Sequence, residues 1–208
     1  MSLQPLQSLI SLALIAWGSG LSLYLSVALA GISGRAGWLE LPQGLQILEH
    51  PLVIAAALIV YGIEFVADKV PYVDSAWDSA HTFIRPAGAS AMGFLAGTEY
   101  GPVAQGVLSV LTGAVALDMH ALKASTRLAI NTSPEPFSNV AASATEDAAV
   151  IGMFWLVIKH PIIAICVIVV TLILSFFVIR LMWRFVSAIF KRIFHREKPN
   201  EANAQRVP

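Results

Sequence analysis

Apolar residues fall in long blocks broken by short polar stretches, and the blocks set the expected elements. From Leu9 to Ala30 there is no charged residue. A helix that crosses a bilayer takes roughly 20 apolar residues, so this run predicts one spanning helix. Gly18, Gly20 and Gly31, in or beside it, suit close helix packing in lipid. A loop with several glycines and Pro42 follows, from Gly31 to Gln46, with Trp38 placed to anchor at the membrane interface. Pro51 opens a second apolar helix, since its missing N–H is unpaired at a first helical position anyway. That helix meets Glu64, Asp68 and Lys69 before Pro71 ends it.

The pattern then changes. Between Val73 and Arg85, the residues Val73, Ala76, Trp77, Ala80, Phe83 and Ile84 share one helical face, and Asp74, Asp78, His81 and Arg85 share the other. The stretch is short and polar, which predicts a helix lying in the interface, with Arg85 snorkelling to water. Pro86 to Gly97 reads as a half-length or re-entrant helix. Pro102 to about Ile130 is a long helix, uncharged at first and then carrying Asp118, His120, Lys123 and Arg127. Asn131 to Pro136 is a breaker. Phe137 to Ile158 begins small and polar and ends apolar. Pro161 to Ile179 is the clearest span, 19 residues without a charge. The whole is expected to be an all-α, polytopic transmembrane bundle of about five to six membrane segments, one of them short or re-entrant, plus an interfacial amphipathic helix.

Composition agrees with lipid as the solvent: the 208 residues are 57% hydrophobic and 12% charged. A soluble domain carries about twice that charged share. The formal net charge is zero, but seven of the 13 Lys and Arg lie from Arg180 onward, against two of the 13 acids. Beside a membrane helix this places the C-terminus in the cytoplasm by the positive-inside rule, with no need for nucleic acid as a partner. Residues 1–194 are read as a single transmembrane domain and 195–208 as a polar, disordered cytoplasmic tail. No Lys or Arg precedes Arg35, so the first apolar run lacks a charged leader and is expected to be retained as a helix. Counting every span puts the N-terminus in the cytoplasm too, with Arg35, His50 and His160 outside. Cys166, in an apolar run, reads as filler. Leu48-Glu-His-Pro-Leu-Val-Ile-Ala55 resembles Ile158-Lys-His-Pro-Ile-Ile-Ala-Ile165, a weak internal repeat of the sort transporters carry, or simply two good helix starts.

Ionisable residues inside membrane segments are costly and mark function by default. Three groups qualify: Glu64 with Asp68; His120, Lys123, Arg127 and Asn131 at helical spacing; and Asn139, Ser143, Glu146 and Asp147. Together with Glu135, in the rigid turn before the last group, they are candidate ligands for an ion or a small charged solute. Asp74, Asp78 and His81 offer oxygen and nitrogen donors to a divalent metal, although a polar helix face explains them as well. No phosphate loop, nucleophile elbow or zinc-protease helix is present.

With those residues in view, the chain resembles a bacterial integral-membrane family catalogued as domain of unknown function 4126. The resemblance is carried by Glu64-Phe-Val-Ala-Asp-Lys-Val-Pro71 followed by Asp74, and by His81-Thr-Phe-Ile-Arg-Pro-Ala-Gly88. Lys123 to Arg127 leading into Ser133-Pro-Glu-Pro136, and the Glu146-Asp147 pair, complete it. It covers about Leu9 to Phe185 and implies no specific activity. The Glu64 to Lys69 stretch is also loosely similar to the Glu-x-Gly-Asp-Lys motif of a cation-exporter family, with Val66-Ala67 in place of the glycine spacing. The expected function is a small secondary transporter or permease in the cell (inner) membrane, without a cofactor and with homo-oligomerisation open. A metal-dependent enzyme acting on lipid headgroups and a structural or assembly protein are the alternatives.

Overall fold

A computed structural model describes residues 4–70, 72–131 and 136–194. They form α1 (Gln4–Leu21), α2 (Leu23–Arg35), α3 (Pro51–Ala67), α4 (Val73–Ala96), α5 (Pro102–Ile130), α6 (Pro136–Lys159) and α7 (Pro161–Phe194), with 3-10 turns at Gln43–Glu49 and Gly97–Tyr100. Among the described residues there is no strand, and the molecule is an all-α membrane protein. Prolines stand at the first position of α3, α5, α6 and α7, where no helical N–H is needed. The residues around the α3–α4 and α5–α6 breaks include Pro71 and Glu135, which lie outside the described residues, as does the tail from 195.

Among the described residues three helices are long and apolar enough to cross a membrane: Pro102–Ile130, Phe137–Lys159 and Pro161–Arg184. The turn Gln43–Glu49 and α3, bent by 69° to each other, would together make a fourth. α7 shows the logic plainly, since it is the least enclosed of them and presents Ile162, Val169, Ile173, Phe176, Phe177 and Leu181 to its surroundings. In lipid such a surface carries no hydrophobic cost.

The first apolar block departs from its expected form. It is not one span. The helix breaks at Ser22, which has extended backbone (φ −148°, ψ 100°), and α2 folds back along α1. The return is visible at both ends. Ser26 lies against Gly18 near the turn, and Gly34, Gly37 and Glu40 line clefts with Pro5, Gln7 and Ser8 at the open end. At 1.5 Å per residue α2 is about 20 Å long, too short for a hydrocarbon core of roughly 30 Å. The pair is a helical hairpin with its tip inside the bundle. A Cβ on Gly20 would strike the Ala116 carbonyl and Met119, so glycine lets the tip sit directly on α5.

The second departure is α4. Pro86 does not start a new helix but lies within one continuous helix of 24 residues. The polar face expected at the interface is turned inward: Arg85 is 0% exposed while neighbouring Phe83 is 78% exposed. The physical reason is the solvent. Facing lipid, the apolar side of an amphipathic helix goes out and the charged side must find partners inside. α4 and α5 are brought close by small residues. A side chain on Gly93 would collide with the Leu108 carbonyl and Thr112, and one on Gly113 with Ser90. The Thr112 hydroxyl donates across to the Ala89 carbonyl at 2.8 Å.

One end of the bundle therefore gathers the start of α1, the end of α2, the turns around Gln43 and Glu99, and the α6–α7 junction at Val157 to Pro161. His50-Pro51 and His160-Pro161 both open helices from this end, and the Gln43 N–H donates to Glu99 there. The start of α1 lies at this end with Arg35, whereas the sequence reading puts the two on opposite sides. The α3–α4 and α5–α6 breaks lie at the other end, toward which α7 runs. In a Cys166→Ala background, single cysteines at Gln7 and Glu40 should react with a membrane-impermeant maleimide from the same face, and one at Ser187 from the opposite face. Labelling of Gln7 from the Ser187 face would contradict the hairpin.

Candidate functional site

The three groups of ionisable residues, separate in sequence, meet in one buried network between α3, α4, α5 and α6. Helical spacing does the first part of the work. Glu64 and Asp68 stand one turn apart on α3, Lys123 and Arg127 one turn apart on α5, and Asp78 and Arg85 two turns apart on α4. Packing of the helices does the rest.

The ion pairs form a continuous chain. Arg85 Nη2 donates to Glu64 Oε1 at 2.7 Å, and Arg85 Nη1 stands 3.4 Å from Asp78 Oδ1. That same oxygen is 3.8 Å from Lys123 Nζ. Lys123 donates to Asp68 Oδ2 at 2.6 Å and lies 3.4 Å from Glu146 Oε2. Arg127 Nη2 donates to Glu146 Oε2 at 2.8 Å and is 3.8 Å from Asp68 Oδ2. All these side chains are buried apart from a small exposed fraction of Glu146. Among the described residues the chain joins four carboxylates (Glu64, Asp68, Asp78, Glu146) to three cations (Arg85, Lys123, Arg127).

The hairpin tip completes the network. A helix end leaves carbonyls without intrahelical partners, and its C-terminus is the negative end of the helix dipole. The break at Ser22 aims two such carbonyls at cations. Arg85 Nη1 donates to the Gly20 carbonyl at 3.2 Å, and Lys123 donates to that of Leu21 at 3.2 Å. The Ser22 hydroxyl donates to Glu64 Oε2 at 2.6 Å. Arg127 reaches two further carbonyls, those of Asp68 at 3.0 Å and Asn139 at 3.1 Å.

Donor counting also fixes the histidines. Arginine can only donate. His120 Nδ1, 2.8 Å from Arg85 Nη1, is therefore an acceptor, and Nε2 carries the hydrogen toward Thr82 at 3.0 Å. His81 is reversed: Nδ1 donates to the Trp77 carbonyl at 2.8 Å, and Nε2 faces the Tyr24 hydroxyl at 3.2 Å. Asn131 caps the assembly, donating to Asp74 at 3.1 Å and to Ser75 at 2.9 Å, and accepting from Asn139 at 3.0 Å. Asp147 stands apart on α6, accepting from Tyr61 at 2.9 Å. Nearby, Lys69 donates to the Phe65 carbonyl and to Ser143. It lies beyond the end of α3, and burial there lowers its ammonium below the usual lysine range.

Several buried polar atoms have no hydrogen bond. They include both carboxylate oxygens of Asp78, Asp68 Oδ1, and the Nε atoms of Arg85 and Arg127. Asp78 and Arg127 line a cavity of about 210 Å³ between α4 and α5, together with Ser75, Ser79, Thr82, Ala124 and Leu128. A larger cleft at the other end of the bundle has Glu40, Glu49 and Glu99 in its wall and is not continuous with the network. Asp118, outside the network, accepts a hydrogen bond from Ser175 of α7.

Of the residues singled out from sequence, Glu64, Asp68, His120, Lys123, Arg127, Asn131, Asn139 and Glu146 come together, and Asp147 lies at the margin. Glu135 lies outside the described residues. Asp74, Asp78 and His81 do not converge as metal ligands. Each has its own surroundings, and among the described residues no three of His, Cys, Asp and Glu form a group that could hold a metal ion. Arg85, read from sequence as a snorkelling cation, is fully enclosed. Ser22, Tyr24 and Tyr61 were not legible as partners. Only the helix break at Ser22 could have exposed the first of them.

Fold and network together define an integral membrane protein with a charge cluster sealed inside its helices. The chain belongs to the family described as domain of unknown function DUF4126, whose model matches residues 9–181. No curated protein and no solved structure matches it.

Removing one partner of a buried pair strands the other, at a cost of about 3–5 kcal/mol. Arg85→Met should lose stability on that scale in denaturant unfolding from micelles, and the double variant Glu64→Gln/Arg85→Met should lose less than the two single losses added. Strictly additive losses would mean that the pair is not coupled.

Proposed function

We propose that the protein is a small secondary transporter or permease for an ion or small charged solute, with the buried carboxylates as its working groups. One observation carries this reading: a broken helix pair ends inside the bundle with its free carbonyls on buried cations. Broken helices whose ends meet charged groups near the middle of the membrane are how many transporters build their binding sites. Irregular backbone at that depth is tolerated only where protein or a cavity receives it. The cavity reaching Asp78 and Arg127 gives the network an approach.

In this reading Glu64, Asp68 and Glu146 alternate between the cations that neutralise them and the transported species, while Lys123 and Arg127 balance charge during exchange. The basic C-terminal run favours a cytoplasmic tail in the cell membrane, which would put the network toward the cytoplasm and the open end of the hairpin outside. Counting the bent pair and α4 as crossings beside α5, α6 and α7 gives five membrane segments, and the α1–α2 hairpin, entering without crossing, makes a sixth.

A structural role is the rival, and the directness of the ion pairs favours it. A membrane enzyme has less support, since its metal-ligand set does not form. Proteoliposomes loaded with a pH-sensitive dye and challenged in turn with proton, alkali-cation and halide gradients separate the first two. Wild type should show a flux above protein-free vesicles, and Glu64→Gln and Glu146→Gln should lower it at least tenfold. Unchanged flux in both variants would remove these carboxylates from the pathway.

A further inference from the structure

We propose that Asp78 is a proton-binding site: the network holds one exchangeable proton, carried by this carboxyl and reached through the cavity between α4 and α5. The inference rests on the transporter reading for its use, but the site itself can be tested without any flux.

Three observations lead there. The first is charge. The ion-paired chain has four carboxylates against three cations, so with every group ionised it carries one surplus negative charge. Adding the marginal Asp74, Asp147 and Lys69 does not remove the excess of acid. A buried net charge is expensive, and one bound proton removes it.

The second is hydrogen bonding. Glu64 accepts from Arg85 and Ser22, Asp68 from Lys123, and Glu146 from Arg127. Among the described residues Asp78 accepts from no group at either oxygen, although it is only 4% exposed. It is near Arg85 and Lys123 but aligned with neither. A buried carboxylate without donors is the least stabilised anion of the four, and so the place where a proton costs least.

The third is access. The cavity places the hydroxyl-bearing Ser75, Ser79 and Thr82 around Asp78, and hydroxyls can pass protons to and from water. The charged and titratable groups facing Asp78 are Arg85 from its own helix, Lys123, Arg127 and His120 from α5, Asp68 from α3 and Glu146 from α6. Two cations within 4 Å make this a poor seat for a metal cation, whereas a proton adds its charge on the carboxyl itself.

The test is infrared spectroscopy on the full chain in lipid, following carboxylic C=O stretching through a pH titration in D₂O. Wild type should show one protonated carboxyl near neutral pH, shifted by ¹³C labelling of aspartate and absent in Asp78→Asn. Since Asn replaces a neutral carboxyl without losing a hydrogen bond, that variant should fold. If it does not, Asp78→Glu with ¹³C-labelled aspartate decides: its band should lose the isotope shift seen in labelled wild type, and a band that keeps the shift, or one unshifted in wild type, would place the proton on another carboxyl and overturn the proposal. A band that survives in Asp78→Asn, the absence of any protonated carboxyl, or a band that responds to sodium but not to pH would do the same. A band present without measurable flux would leave the proton site standing and count against transport alone.

Discussion

A charge taken from water into a bundle surrounded by lipid is tolerated only beside an opposite charge with its remaining hydrogen bonds met. That constraint shapes most of this molecule. It turns the polar face of α4 inward, brings α5 against it along small residues, and draws the ends of α3 and α6 to the same place. It also explains the broken first helix. Arg85 and Lys123 each keep a donor that is not aimed at a carboxylate, and the carbonyls released at Gly20 and Leu21 accept it. An unbroken helix would have no free carbonyl at that depth.

The network is satisfied unevenly. Around Glu64 every side-chain oxygen has a donor, and the pairs there resemble a structural clasp. Around Asp78 the acceptors are idle and a cavity adjoins them. A fully satisfied network rigidifies a core, and a partly satisfied one marks where something else binds or moves. The two halves share Arg85, so a change of charge at Asp78 alters the field at Glu64 and at the hairpin tip directly.

Much of this was legible in the sequence. Hydropathy, breakers and proline starts locate α5 and α6 nearly to their ends and the start of α7, because they need no tertiary knowledge. The spacing of Glu64 with Asp68, and of Lys123 with Arg127, set the right faces together. What was missed follows from the choice of solvent. The Asp74, Asp78, His81 and Arg85 stripe was read as if water lay on its polar side. In lipid the sign inverts, and the exposed Phe83 and Ile84 belong outside. Pro86 reads as a helix start in the sequence, yet the helix runs through it. The Leu9 to Ala30 run has no charge, proline or sharp break signal at Ser22, since only the partners of the turn, far away in sequence, stabilise it.

Whether these charges work or merely hold helices together is decided most directly by measuring stability and flux side by side for Asp78→Asn in one preparation. A working site predicts unfolding free energy within about 1 kcal/mol of wild type, since no hydrogen bond is lost, with flux reduced at least tenfold. Flux unchanged, or flux falling only in step with stability, would contradict it and leave the network as a scaffold.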